Sequence, residues 1–194
     1  MSLEIEKQKW RNYFRQALTD PQNKNDRVLK DLNQSLSLFL KQQSGFWGGY
    51  KALPEEANID QAISLSKHLQ WAYPRVDKNH LKYHEAQSFV EGPWRIQEPD
   101  LQSPEVKLND LMGLLIPGLG FSKTGHRLGR GKGFFDYTLQ DYTGLKIGVA
   151  LNCQYVQEAL PTQKHDVLMD WIITNDFWID CGKKEVHSWK LLSL

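Results

Sequence analysis

The residues best equipped for chemistry crowd into one segment, LLIPGLGFSKTGHRLGRGKGFFDYTL, residues 114–139. Gly118, Gly120, Gly125, Gly129, Gly131 and Gly133 put six glycines into sixteen residues. His126, Arg127, Arg130 and Lys132 stand among the last of them, and no carboxylate appears before Asp136. Such cations bind oxyanions, the arginines through planar forks and the lysine as a point charge. Glycines let backbone N–H groups close on an anion, and a helix start adds partial positive charge. The segment therefore suits a phosphate. The competing reading, a solvated basic loop, leaves the entropic cost of six glycines unexplained. Neither standard nucleotide fingerprint is present. No Gly-Lys-Ser/Thr occurs at Walker spacing, and Phe134 stands where GxGxxG needs its last glycine.

Other groups are weighed against this loop. Asp136 falls one turn into the helix expected after it, where a carboxylate can hold Mg²⁺ against a triphosphate. Asp166 and Asp170 are candidates for a second carboxylate, with a loop-end cap the alternative for Asp166. Lys7 and Arg11 sit four apart on one helix face, which by itself reads as a solvated face. Trp94 reads as core, or as a ligand-stacking ring. Cys153 with His165 downstream reads as a small buried thiol before it reads as a nucleophile. HExxH and GxSxG motifs are absent.

These residues need a frame. Periodicity predicts helices over residues 4–18 and 26–42, with Trp10 and Phe14 inward on the first. Strands are expected at 45–50, 71–73 (ended by Pro74), 80–84 and 89–90, the last two as a hairpin. A helix over 59–69 is capped by Asn58. Buried strands follow at 110–117, 146–151 and 170–174, with an edge strand at 186–192. Residues 92–104 read as a loop, and 154–166 as a loop or short helix. Strands alternating with helices predict an α/β fold, with ligands at the carboxyl ends of the strands. The chain has 194 residues, 40% hydrophobic and 24% charged, fitting one domain over 1–194. A net charge of +1 argues against whole-surface attraction to nucleic acid or membrane. Two cysteines, no membrane-length apolar run and a charged start predict a cytoplasmic protein.

The segment GLGFSKTGHRLGRGKGFFDYTL resembles the signature of the 5-formyltetrahydrofolate cyclo-ligase family, approximately PG.AFD..G.RLG.GKGYYD..L. The resemblance continues through Lys7 and Arg11, the loop from Lys51 to Glu56, Tyr73-Pro74-Arg75-Val76, Trp94, Glu98-Pro99, Gln154-Tyr155-Val156, Leu160-Pro161 and His165-Asp166. It implies a single domain with a mostly parallel central sheet and helices on both faces, Rossmann-like in three layers. It implies an ATP- and Mg²⁺-dependent monomer that closes 5-formyltetrahydrofolate to 5,10-methenyltetrahydrofolate through a phosphorylated formyl intermediate. A non-catalytic nucleotide- or folate-binding module of the same fold is the alternative.

By the same resemblance, Lys7, Arg11, Arg127, Leu128, Gly129, Arg130, Gly131, Lys132, Gly133, Phe134 and Phe135 contact ATP. Lys51, Glu56, Trp94 and the run Arg130 to Phe134 face the folate. Arg130 and Lys132 are catalytic, and Asp136 and Asp166 hold the metal. Two departures stand out. Phe134-Phe135 replaces a tyrosine pair, which keeps stacking and loses phenolic hydrogen bonds. Ser122 replaces an aspartate, which puts a turn contact in question.

Overall fold

A computed structural model describes residues 2–163 and 166–191, apart from the side chains of Trp94 and Leu191. Helix α1 (Leu3–Thr19) buries Phe14, and α2 (Asp26–Leu40) buries Leu32, Leu36 and Phe39. Strand β1 (Phe46–Gly48), helix α3 (Asp60–Leu65), β2 (Gln70–Asp77) and β3 (His80–His84) follow. Then come β4 (Phe89–Glu91), β5 (Gln97–Pro99), β6 (Glu105–Val106) and β7 (Gly113–Pro117). The glycine segment supplies β8 (Gly120–Ser122), β9 (Arg127–Leu128) and helix α4 (Phe134–Leu139). The chain continues through β10 (Leu145–Val149), β11 (Tyr155–Val156), β12 (Trp171–Ile173), β13 (Phe177–Asp180) and β14 (Glu185–Ser188).

The large sheet has the order β14-β13-β12-β10-β7-β1-β2-β3-β6. Its central strands, β2-β1-β7-β10-β12, are parallel, and antiparallel pairs extend both edges. Numbered among themselves the parallel strands run 2-1-3-4-5, a doubly wound order that reverses between β1 and β7. The crevice at the carboxyl ends of those two strands is where such a fold receives its ligand. It lies beside Tyr50 and Lys51 after β1 and beside Gly118 after β7. One face of the sheet packs on α2 and α3 through Leu36, Leu40, Ile59 and Leu115. The other packs on the glycine segment and α4 through Ile116, Phe121 and Leu139. A third, small core joins Phe14 of α1 to Leu119, Leu128, Val156 and Leu160, fixing α1 over the strand ends.

Several expected elements differ. Strand β2 runs through Pro74 to Asp77, because β1 pairs with it only as far as Ala72. Beyond that point Pro74 owes no N–H to a neighbour on that edge. The hairpin partner of β3 is β2, while residues 89–91 pair with residues 97–99 inside the stretch expected to be a loop. Helix α3 stops at Leu65, where Ser66 N–H bonds back to the carbonyls of Ala62 and Ile63. The first buried strand of the second half starts at Gly113, after a 3₁₀ turn at Leu108–Asp110. Strand β13 was not anticipated.

Candidate functional site

Three chain segments converge on the crevice. Helix α1 brings Lys7 and Arg11, the turn after β1 brings Lys51 to Glu56, and the glycine segment wraps between them. Each is anchored. Tyr50 donates its hydroxyl to Ala57 O at 2.8 Å, bending the chain after β1 into its turn. Lys24 Nζ donates to the carbonyls of Pro54 and Glu56 from outside. Fully buried Gln154 donates through Nε2 to Gly118 O at 2.9 Å and Leu119 O at 3.3 Å, and its Oε1 accepts from Leu151 N–H. That side chain ties the exit of β7 to the segment after β10.

Gly118, Gly120 and Gly125 answer to packing more than to a ligand. A Cβ on Gly120 would lie 2.0 Å from the Phe14 ring, and one on Gly125 2.8 Å from Met169 O. Only backbone without a side chain admits α1 this close. At the turn where Ser122 replaces an aspartate, Ser122 Oγ bonds Thr124 Oγ1 at 2.9 Å, and Thr124 bonds His126 Nδ1 at 2.8 Å.

The loop from Gly129 to Asp136 forms a partition with a cavity on each side. The first cavity, about 270 Å³, is lined by Tyr50, Lys51, Leu53, Glu56, Val76, Ile96, Glu98, Gly118, Arg127, Arg130, Phe134 and Phe135. The second, about 220 Å³, is lined by Glu4, Lys7, Arg11, Gly131, Tyr137, Gln140, Gln163 and Asp166. Lys132, Gly133 and Asp136 border both.

The second cavity is polar and dense in paired charge. Lys7 and Arg11 are only 9% and 7% exposed, which decides against the solvated-face reading. Lys7 Nζ meets Asp166 Oδ2 at 3.0 Å. Arg11 donates to Glu4 Oε1 at 2.6 Å and through Nε to Gly129 O at 3.3 Å, holding the loop against α1. From the first cavity, Arg127 reaches the shared Asp136, donating to its Oδ1 at 2.8 Å and to Pro117 O at 3.2 Å, with its guanidinium 5.2 Å from the centre of the Phe135 ring. Each cation is thus neutralised by a carboxylate that an incoming anion could displace. Among the described residues no three His, Cys, Asp or Glu side chains gather as a metal cage. Asp136 and Asp166 nevertheless supply two hard oxygen donors to one cavity, enough for Mg²⁺ that completes its shell with phosphates and water.

The first cavity combines aromatic and aliphatic walls with a few polar groups, the usual make-up of a small-molecule site. Glu56 accepts from Leu53 N–H at 2.9 Å through Oε2. Burial raises its pKa above the ordinary glutamate value, opposed by that hydrogen bond and by Arg130 and Arg127. Glu98, 4% exposed, accepts from Val76 N–H, and burial likewise raises its pKa. Lys51 pairs with Asp60 at 2.7 Å and lies 4.9 Å from the centre of the Phe89 ring. Glu55 binds Arg15 at 3.0 Å and Arg130 at 3.4 Å, joining α1, the turn after β1 and the glycine loop.

The residues expected at ATP therefore divide. Lys7, Arg11, Gly131, Lys132 and Gly133 border the second cavity, as do Asp136 and Asp166. Arg127, Gly129, Arg130, Phe134 and Phe135 border the first, with Lys51 and Glu56. Leu128 borders neither, because its side chain is buried with Phe14 and Leu119. The Trp94 side chain and His165 lie outside the described residues. Helix α4 has only six residues, so the field at the loop comes from side-chain cations more than from a helix dipole. Sequence reading missed Arg15, Glu55 and Gln154. Arg15 continues the four-residue spacing of Lys7 and Arg11 and was detectable; Gln154 stands in the block Gln154-Tyr155-Val156 that carries the resemblance, but without a role, and nothing singled out Glu55.

A sequence model described as the 5-formyltetrahydrofolate cyclo-ligase family matches residues 53–175. The chain is 32% identical over 141 residues to 5-formyltetrahydrofolate cyclo-ligase of Saccharomyces cerevisiae, covering 64% of this chain and 60% of that one. It is 37% identical over 98 residues to the protein of that name from Escherichia coli K12, covering 48% and 53%. The matched stretches thus span between half and two thirds of these relatives' length. The fold is similar to a 5,10-methenyltetrahydrofolate synthetase from Mycoplasma pneumoniae, with a TM-score of 0.71 at 23% identity over 88% of this chain and 99% of that one. The Aquifex aeolicus 5,10-methenyltetrahydrofolate synthetase gives 0.76 at 23% identity, over 90% and 92%.

Proposed function

The chain belongs to the 5-formyltetrahydrofolate cyclo-ligase family, and from that premise we propose that it converts 5-formyltetrahydrofolate to 5,10-methenyltetrahydrofolate, releasing ADP and phosphate from ATP. The observation that carries this reading is the partition. Lys132, Gly133 and Asp136 border a charge-lined cavity on one side and an aromatic cavity with buried carboxylates on the other. A phosphoryl group passing from a nucleotide to a folate must cross such a boundary.

The triphosphate takes the side of Lys7, Arg11 and Lys132, and the folate takes the side of Glu56, Phe134 and Phe135. The formyl oxygen attacks the γ-phosphorus while the bond to the β-bridging oxygen breaks and ADP leaves. Nitrogen 10 then attacks the iminium carbon and loses its proton, and the carbon–oxygen bond breaks to expel phosphate. Phosphorylation turns a poor leaving group into a good one, so the protein chiefly positions reactants and balances charge. Arg130 and Lys132 face the transferring group as its counter-charges. Glu56 accepts N–H donors of the pterin, a role suited to a carboxylate with one oxygen already anchored. Asp136 and Asp166 would hold Mg²⁺, which supplies charge neutralisation on the phosphates.

The same reading treats residues 1–194 as one domain acting as a cytoplasmic monomer on ATP and 5-formyltetrahydrofolate, with neither nucleic acid nor membrane as partner. Among the described residues no helix is long and apolar enough to cross a membrane. The test is to mix protein, 5-formyltetrahydrofolate, ATP and Mg²⁺ and follow methenyl-folate absorbance. A rise that requires both ATP and Mg²⁺ is expected. Calorimetric binding of ATP or folate with no rise would make the chain a non-catalytic binding module, and no binding of either would reject the reading.

A further inference from the structure

The charged residues of the second cavity account for a triphosphate but not for the nucleoside attached to it. The cavity wall continues past Asp136 to three uncharged residues, Tyr137, Gln140 and Gln163. Tyr137 and Gln140 lie three apart at the end of α4 and so share one face of it. Tyr137 is 49% exposed, so much of the residue is uncovered at the edge of this cavity. Its position depends on Gly133, whose φ is +75° and where a Cβ would stand 3.1 Å from Tyr137 Cε2. The ring therefore lies over the same backbone turn that borders the phosphate side. His80 meets it edge-on at 6.0 Å between ring centroids, which supports the ring from the side. Gln163 is held across the cavity by a reciprocal pair: its N–H donates to Asp166 Oδ2 at 2.7 Å, and its carbonyl accepts from Asp166 N–H at 3.0 Å.

We infer that Tyr137, with Gln140 on its own wall and Gln163 on the wall of Asp166, is the subsite for the base of the nucleotide, stacking the heterocycle on the exposed phenol ring. This rests on the reading of the second cavity as the triphosphate site. A flat base covers an exposed ring with little loss of side-chain freedom, and every base has a π-face to offer. The carboxamides of Gln140 and Gln163 each present a donor and an acceptor, matching the mixed edge of a purine. The anchored backbone of Gln163 ties this subsite to Asp166, so base and phosphates would be read by one continuous wall.

Calorimetry with Mg²⁺ present tests this using two probes, ATP and inorganic tripolyphosphate. For Tyr137→Ala the Kd for ATP should rise roughly five- to hundredfold, the range that losing one base–aromatic stack gives. Tripolyphosphate should bind as to the wild type, and Tyr137→Phe should bind both probes normally. Wild-type ATP affinity in Tyr137→Ala would overturn the inference, as would equal losses for both probes. If the wild-type protein bound neither probe, the triphosphate reading would fail and this inference with it, an outcome distinct from the other two.

Discussion

On the proposed function, Glu56 trades stability for binding. Its raised pKa means that the folded protein holds the proton more tightly than the unfolded chain does. The sign follows: its contribution to stability is greatest at low pH and is lost as pH rises through the folded-state value. Once ionised, the buried carboxylate is therefore a burden on the fold, which the proposed contact with folate would explain. Glu56→Gln should leave thermal stability at pH 7 equal or higher while weakening folate binding by about 1.5–3 kcal/mol, the value of a charged hydrogen bond. Denaturation curves and the KM for 5-formyltetrahydrofolate read the two effects, and a destabilised variant with normal KM would reverse the assignment. In the wild type, folate affinity should begin to fall with acid at a higher pH than an ordinary glutamate would produce. In the proposed reaction Arg130 and Lys132 balance the charge of the transferring group. Replacing either with alanine should lower kcat/KM by roughly tenfold to a hundredfold, the loss of one charge-assisted bond. Normal rates in both variants would mean that the loop does not balance the transferring charge.

At the scale of elements, α1 is the part that delivers charge to the second cavity, and Gly120 decides how close it can come. A methyl group on Gly120 would stand 2.0 Å from the fully buried Phe14 ring, so either the ring or the helix must move. Gly120→Ala should cost about 1–3 kcal/mol of stability, as overpacking does. Because Lys7 and Arg11 ride on α1, the KM for ATP should rise more than the KM for folate; a uniform change in both would point to general loosening instead. The sequence showed α1, α2 and the buried strands clearly, since a wide apolar stripe or an unbroken apolar run survives tertiary context. It did not show β13, where Phe177-Trp178-Ile179 is too short to separate from a loop until pairing with β12 is known. Nor could it foretell the passage of β2 through Pro74, which depends on where β1 ends. The loop residues of the site were legible as a cluster, and Arg15 by its spacing. What Glu55 and Gln154 hold together was not, because their partners lie far along the chain.

Across the whole molecule, the site is an electrostatic exchange. Lys7 is held by Asp166, Arg11 by Glu4 and Arg127 by Asp136, so each of these cations carries a carboxylate counter-charge. That agrees with a chain whose overall charge is only +1. A triphosphate must take cations away from these carboxylates, and the displaced Asp136 and Asp166 then repel it unless a divalent cation accepts them. Carboxylate, cation and metal are therefore coupled, and the coupling predicts a change of sign. In Asp166→Asn, Lys7 is released and one repulsion is removed. Without Mg²⁺ this variant should bind ATP more tightly than the wild type, by about 1 kcal/mol or roughly fivefold for a pair of this kind. With Mg²⁺ the order should invert, since the variant lacks an oxygen donor for the metal, and turnover should fall with it. Calorimetric titrations of both proteins with ATP, in EDTA and in excess Mg²⁺, measure the two arms. An affinity change of the same sign in both conditions would show that Asp166 serves Lys7 alone, and that the metal is held elsewhere.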